Sequence, residues 1–304
     1  MPNIYYIDRV TKRNEKERVY GGFFIKSLYG EGLFARCFSW LFLPIIAHCA
    51  FLSRFYGAFQ KSAFSKRLIR PFIDTFAVDA SEFAEPVSSF PSFNDFFIRR
   101  LKPSCRPIAG GNDVVILPAD ARYLVYPDLS RVDGLLVKGR MFSLAALLQD
   151  EELAGGYAAG TLVMARLAPV DYHRYHFPCT CTPGAPRLIN GALFSVNPLA
   201  LKRNVHILTE NKRMVTALQT KNFGTVLYIE VGATYVGSIR QTFVPGEPYA
   251  KGDEKGYFSF GGSCVILLFE PGAIQLDQDL IDASFRGLEM RGLMGQPLGR
   301  ALRL

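Results

Sequence analysis

Charge is scarce in this chain of 304 residues: Asp, Glu, Lys and Arg together make up 20%, low for a protein wholly surrounded by water. Histidine is scarcer still, with four in all. No internal repeat and no low-complexity segment is present, which excludes solenoid and fibrous architectures. The six cysteines (Cys37, Cys49, Cys105, Cys179, Cys181 and Cys264) keep no regular spacing. A chain of this length needs no disulfide staples, so a secreted disulfide framework is excluded and reduced thiols facing a cytoplasm are expected. The N-terminus is polar and mixed in charge and does not read as a signal peptide. Residues 37–53 form an uncharged run of 17, at the lower limit for a membrane-spanning helix and broken by Pro44.

What is abundant is apolar and aromatic: 49% hydrophobic residues, with 25 Phe and 14 Tyr. Such a mix suits a protein with apolar surface to hide at a membrane interface or in an oligomer. The net charge of +8 is uneven, because residues 1–75 hold 12 Lys and Arg against 5 Asp and Glu. A basic segment meets either nucleic acid or an anionic membrane. Here Phe, Leu, Ile, Trp and Tyr lie between the charges, which favours the membrane and gives no reason to expect nucleic acid. Residues 1–30 read as an irregular arm leading into a helix. Residues 1–75 as a whole read as a helical, basic, membrane-associating region lying in the interface, or as helices packed on the rest of the protein.

Residues 76–304 change character. The stretch from Phe93 to Pro103 reads as a short amphipathic helix ended by the proline. Beyond it come the short strand-like runs VVILPAD, RYLVYP, GLLVKG, TLVMARL, TVLYIEVGA and SCVILLFE, punctuated by Gly, Pro and Asp. MFSLAALLQDEEL, near 140–152, reads as a helix. Strands without regular βα alternation predict an α+β fold: a β-rich catalytic domain with mixed or antiparallel sheets and short helices.

Three stretches gather reactive side chains: Leu117-Pro118-Ala119-Asp120-Ala121, Arg166 to Pro178, and Lys251 to Cys264. Singly, each has an ordinary explanation. Asp120 can cap a turn, His173 and His176 can be buried hydrogen-bonding residues, and Gly261-Gly262-Ser263 can be a turn or bulge. Together they supply a carboxylate, an imidazole and a hydroxyl, the parts needed to activate a serine. His173, His176, Cys179 and Cys181 also fall as H-x2-H-x2-C-x-C, a candidate zinc set whose spacing matches no common module. No metal is therefore expected.

RLAPVDYHRYHFP (166–178) resembles the R-L-A-P-x-D-Y-H-R-x-H-x-P signature of phosphatidylserine decarboxylases. FNDFFIRRLKPSCRPI (93–108) is similar to another of the family's signatures. VKGRMFSLAALL, GALFSVNP, ENKR, IEVGATYVGSI and KGDEKGYFSFGGS follow in the family's order. The resemblance covers residues 76–304. It implies a zymogen that cuts itself at Gly262–Ser263, with Ser263 attacking the Gly262 carbonyl, His176 as base and Asp120 behind it. The products are a large chain 1–262 and a small chain 263–304. Ser263 becomes a covalent pyruvoyl cofactor, which forms a Schiff base with phosphatidylserine and accepts electrons as CO2 leaves. By the same resemblance His173 meets the substrate carboxylate and moves the proton, and the two fragments stay together and pair further as dimers. The protein is expected at the cytoplasmic face of the cell membrane, as a peripheral protein on an anionic surface. Two departures stand out: Ala121 where the family has glycine, and Gly261-Gly262-Ser263-Cys264 where it has L-G-S-T. They leave open an unprocessed homologue that binds anionic phospholipid without catalysis.

Overall fold

The computed structural model describes residues 4–22, 27, 55, 57–131, 143–233, 239–261 and 263–302. Its strands are β1 (Tyr5–Asp8), β2 (Asn14–Lys16), β3 (Val114–Ile116), β4 (Ala121–Tyr126), β5 (Thr161–Leu167), β6 (Arg174–His176), β7 (Cys181–Pro183), β8 (Arg187–Ile189), β9 (Arg213–Thr220), β10 (Thr225–Val231), β11 (Ile239–Gln241), β12 (Glu254–Phe258), β13 (Ser263–Phe269), β14 (Ile274–Leu276), β15 (Glu289–Gly292) and β16 (Pro297–Ala301). Ten of them build one large sheet in the order β2-β1-β15-β4-β5-β13-β10-β9-β7, with β8 also on β9. Two three-stranded sheets, β11-β12-β6 and β14-β16-β3, lie beside it. Of the named strand pairs only β1 with β15 is parallel, so the expected α+β class with mixed and antiparallel sheets is what the chain adopts.

The middle of the large sheet is buried on both faces, which is why SCVILLF reads as an unbroken apolar run rather than an alternating one. Along β13, Val265, Leu267 and Phe269 face one core together with Val163, Ala165, Tyr228 and Phe258. Cys264, Ile266 and Leu268 face the other, with Leu147, Leu148 and Ile229. A third cluster is almost wholly aromatic. Phe72, Phe83, Phe90, Phe93, Phe96, Phe97 and Phe260 pack edge to face, and it gathers the helices that precede β3 onto the loop that precedes β13. The small sheet β11-β12-β6 is tied to the large one by a buried ion pair. Lys255 Nζ lies 2.5 Å from Glu230 Oε1 and also donates to Thr216 Oγ1 and Gln241 Oε1.

Three expectations are corrected. The arm read over residues 1–30 is not irregular throughout: β1 and β2 are strands of the large sheet, with Tyr6 opposite Glu289 and Glu15. The cause is that Tyr6 and Ile7 are buried and Arg9 is held by Asp277 and Asp279. The helix beginning at Phe93, capped by the Ser92 hydroxyl, ends at Phe97, well before Pro103. The helix expected near 140–152 is two, Leu144–Leu148 and Glu151–Gly156. Gln149 in the left-handed region closes the first, and the Asp150 side chain caps the second. Among the described residues no helix is long and apolar enough to cross a membrane. The runs 37–53 and 134–139 lie outside the described residues.

Candidate active site

Asp120 sits in the turn between β3 and β4, buried, with an apolar strand on either side. Its carboxylate is gripped by Arg106, whose Nη2 lies 2.6 Å and Nε 2.9 Å away, and it accepts the Met294 N–H at 2.8 Å. Arg106 also reaches Glu82 through both terminal nitrogens. The carboxylate thus makes its hydrogen bonds to Arg106 and Met294 and not to His176. Asp120 reaches His176 only through its field, which favours the imidazolium. The backbone still brings the two segments together, because the His176 N–H donates to the Pro118 carbonyl at 2.8 Å.

His176 ends β6. Its Nδ1 lies 2.9 Å from the Gly252 carbonyl oxygen. A carbonyl can only accept, so Nδ1 carries the proton and Nε2 is left basic. The Tyr172 hydroxyl, 3.2 Å from Nε2, donates to it. Burial lowers the pKa of His176, and the Gly252 carbonyl, Glu254 and Asp120 pull back against it. The imidazole is therefore a neutral, oriented base at neutral pH.

His173 is fully buried, three residues away but in a different setting. Its ring stacks on Phe97 with centroids 3.8 Å apart. Nε2 donates to the Ala168 carbonyl at 3.0 Å, which leaves Nδ1 unprotonated, and among the described residues Nδ1 has no partner. Burial, with Arg99 adding to it, pushes the pKa down to about 3.

Ser263 is the first residue of β13, opposite Leu167 at the end of β5. It is completely buried, and among the described residues its hydroxyl has no hydrogen-bond partner. Ala168, which follows Leu167, carries the carbonyl that holds His173. The His173 carbonyl in turn accepts the Phe258 N–H at 3.0 Å, five residues ahead of Ser263. Between them Phe260 is fixed by the Asn94 side chain, which accepts its N–H at 3.2 Å. Gly261 has a φ of 138°, a conformation open only to glycine. The chain thus enters β13 through a turn that no other residue would form without strain.

The two departures lose their force in this setting. Ala121 opens β4 and does not have the positive φ that would require glycine. Cys264 faces the opposite core from Ser263, and burial raises its thiol to about 12, so no competing thiolate is present at neutral pH. The zinc arrangement does not assemble, since among the described residues no three His, Cys, Asp or Glu side chains converge. Cys179 and Cys181 are instead members of the apolar core, and burial raises both thiols.

Sequence reasoning missed Arg106, Tyr172 and the Gly252 carbonyl as partners of the site. Arg106 and Tyr172 fall inside stretches already singled out. Two nearby arginines, 106 and 99, differ only in what the fold sets against them, and that has no signal in the sequence.

The phosphatidylserine decarboxylase family model matches residues 93–299. The chain is 53% identical over 298 residues to the phosphatidylserine decarboxylase proenzyme of Chlamydia pneumoniae, covering 98% of this chain and 97% of that one. It is 49% identical to the proenzyme of Chlamydia muridarum, over 97% and 96% of the two chains. With that of Chlamydia caviae it shares 48% identity over the whole of both.

Proposed function

Since the chain belongs to the phosphatidylserine decarboxylase family, we propose that it is made as a zymogen, cuts itself between Gly262 and Ser263, and then converts phosphatidylserine to phosphatidylethanolamine and CO2. The observation that carries this reading is Ser263: a buried hydroxyl without a partner among the described residues, two positions after Gly261, which holds a conformation only glycine adopts. Leaving a buried hydroxyl unbonded costs about 1–3 kcal/mol, a cost that a reaction explains and packing does not.

In the self-cleavage, Tyr172 gives up its hydrogen bond to His176 Nε2, which takes the Ser263 Oγ proton as Oγ attacks the Gly262 carbonyl carbon. The peptide C–N bond breaks, the serine nitrogen regains a proton from His176, and an ester stands in place of the amide. Loss of the Ser263 α-proton with departure of the Gly262 carboxylate leaves dehydroalanine at 263. Water then adds, ammonia leaves, and a pyruvoyl group ends the small chain. No electron is gained or lost overall. Asp120, locked by Arg106, fixes the turn against which His176 rests and stabilises its imidazolium at a distance.

Position 263 suits such a group, because it lies at a strand entry with no competing hydrogen bond. The pyruvoyl ketone supplies the electron-accepting carbonyl for loss of CO2 from the amino acid headgroup. His173 faces the substrate's amino acid headgroup, where its bare Nδ1 takes the proton that the ammonium gives up and returns it to the carbon that CO2 leaves. The apolar walls of Phe97 and Phe260 keep water from that nitrogen.

The substrate is a lipid, so the site works at a membrane. Residues 1–75 carry the basic excess, and Phe55 and Phe64 are exposed near Lys61, Lys66 and Arg67. Basic and aromatic side chains side by side suit peripheral seating on an anionic cytoplasmic leaflet. The two fragments form one heterodimeric unit, which pairs further into dimers.

The test is the intact mass of freshly made protein under denaturing conditions. Two chains are expected, the smaller of 42 residues and without a free N-terminal amine. Ser263→Ala is expected to stay whole. A single 33.9 kDa chain from the unmutated protein would overturn the zymogen reading, and a cut Ser263→Ala would overturn the role of Ser263.

A further inference from the structure

Beside the site, and used by none of the steps above, lies a network of five charged side chains, four of them buried, from four separate parts of the chain. Glu17, just past β2, is buried and accepts from Arg166 at 2.6 and 3.1 Å. It also pairs with Arg122 Nε at 3.2 Å. Arg166 reaches on to Glu289 of β15 at 2.5 and 2.9 Å. Arg122 reaches on to Asp171, whose carboxylate accepts the Ala168 N–H at 2.7 Å. Ala168 is the residue whose carbonyl holds the His173 ring. A line of direct contacts therefore runs from Glu17 through Arg122, Asp171 and Ala168 to His173. A second runs through Arg166, the residue paired with Cys264 and adjacent to the partner of Ser263.

Burial of both arginines would be costly without counter-charges. Glu17 is the carboxylate that bridges them, and burial that would push it up is outweighed by Arg166 and Arg122, which hold it below the usual range. Without Glu17, Arg166 keeps Glu289, whereas among the described residues Arg122 keeps Asp171 as its one counter-charge. Asp171 would then be drawn toward an under-compensated guanidinium and away from the Ala168 amide. The turn 168–171 would lose its shape, and with it the hydrogen bond that sets which nitrogen of His173 is bare.

We infer that Glu17, supplied by the N-terminal arm, is a positioning residue for decarboxylation: through Arg122 and Asp171 it fixes the turn that orients His173. The inference rests on the role given to His173 above. The test compares Glu17→Gln, Glu17→Asp and Arg9→Gln with the unmutated enzyme, on phosphatidylserine in mixed micelles. Arg9→Gln removes the arm's other anchor, to Asp277 and Asp279, and leaves the network alone. Glu17→Gln is expected to cut itself to completion, with kcat at least tenfold lower and KM within twofold. Arg9→Gln is expected within twofold of the unmutated enzyme in both. Equal kcat for Glu17→Gln and the unmutated enzyme would overturn the inference, as would an equal loss in Arg9→Gln, which would mean only that the arm must dock. An uncut Glu17→Gln that is folded would overturn the link to His173. If Glu17→Gln does not fold, Glu17→Asp, shorter but still charged, answers the same question, and full activity there overturns the inference. An unmutated protein that neither cuts itself nor releases CO2 would instead refute the proposed function.

Discussion

His173 and Arg99 are buried next to each other, and Arg99 has carbonyl oxygens of Phe96, Val170 and Asp171 as acceptors rather than a carboxylate. Burial lowers the Arg99 guanidinium to about 10, yet it remains charged and adds to the burial that keeps His173 neutral. A histidine whose folded pKa lies below its ordinary value binds fewer protons folded than unfolded. Its contribution to stability is complete above about pH 6.5 and drains away as the pH falls from 6.5 toward about 3. His176 shifts in the same direction. At pH 5.5 His173 gives up about 1.4 kcal/mol. Urea unfolding of the uncut Ser263→Ala chain is expected to show that loss between pH 7.5 and 5.5. Adding His173→Gln should reduce it by about 1.4 kcal/mol. An unchanged slope would mean that His173 is protonated or exposed in the folded chain.

The small sheet β11-β12-β6 carries His176, and its spacing depends on Gly256. A Cβ there would stand 2.1 Å from the Arg240 carbonyl oxygen and 2.6 Å from the Tyr175 hydroxyl. Neither can retreat easily, since Arg240 lies opposite Tyr257 in the pairing of β11 with β12 and Tyr175 pairs with Gly256 itself. Gly256→Ala is expected to cost about 1–3 kcal/mol or more and to slow self-cleavage, read as a lower unfolding midpoint and a larger uncut fraction in intact mass. A variant that cuts itself at the normal rate would show that the sheet yields without moving His176. Much at this scale was legible beforehand. TLVMARL, TVLYIEV and SCVILLF were recognisable strands because apolar β-branched residues ended at glycine, proline or acid. The arm was not. YYID and NEK are too short for a period to emerge, and their charges read as an irregular arm of a basic, membrane-associating region, whereas Asp8, Arg9 and Glu17 pair with Arg291, Asp277 and Arg166. Asp120, His173, His176 and Ser263 stood out by residue type and order. That Asp120 would spend its hydrogen bonds on Arg106 did not, since a pairing across 14 residues is decided by the packed fold.

Taken whole, the molecule would be divided by the proposed cut at Gly262–Ser263 in sequence but not in space. The small chain would hold β13 through β16. Of these, β13 lies between β5 and β10, β15 between β4 and β1, and β16 between β14 and β3. β13 alone presents seven buried residues to two neighbours. The fragments are expected to co-elute on gel filtration without denaturant and to part only on unfolding, and separation in native buffer would overturn this account of how β13 is held. The same placement has a consequence for the order of manufacture. The strand in the middle of the sheet is made after both of its neighbours. While the chain is still being synthesised, β5 and β10 have open, apolar edges facing each other across the gap that β13 will fill, and such edges invite pairing with other chains. Ser263 arrives on the very segment that closes the gap. The proposed nucleophile is absent until the gap between β5 and β10 can be filled, and a chain whose synthesis stops before residue 263 has nothing with which to cut itself.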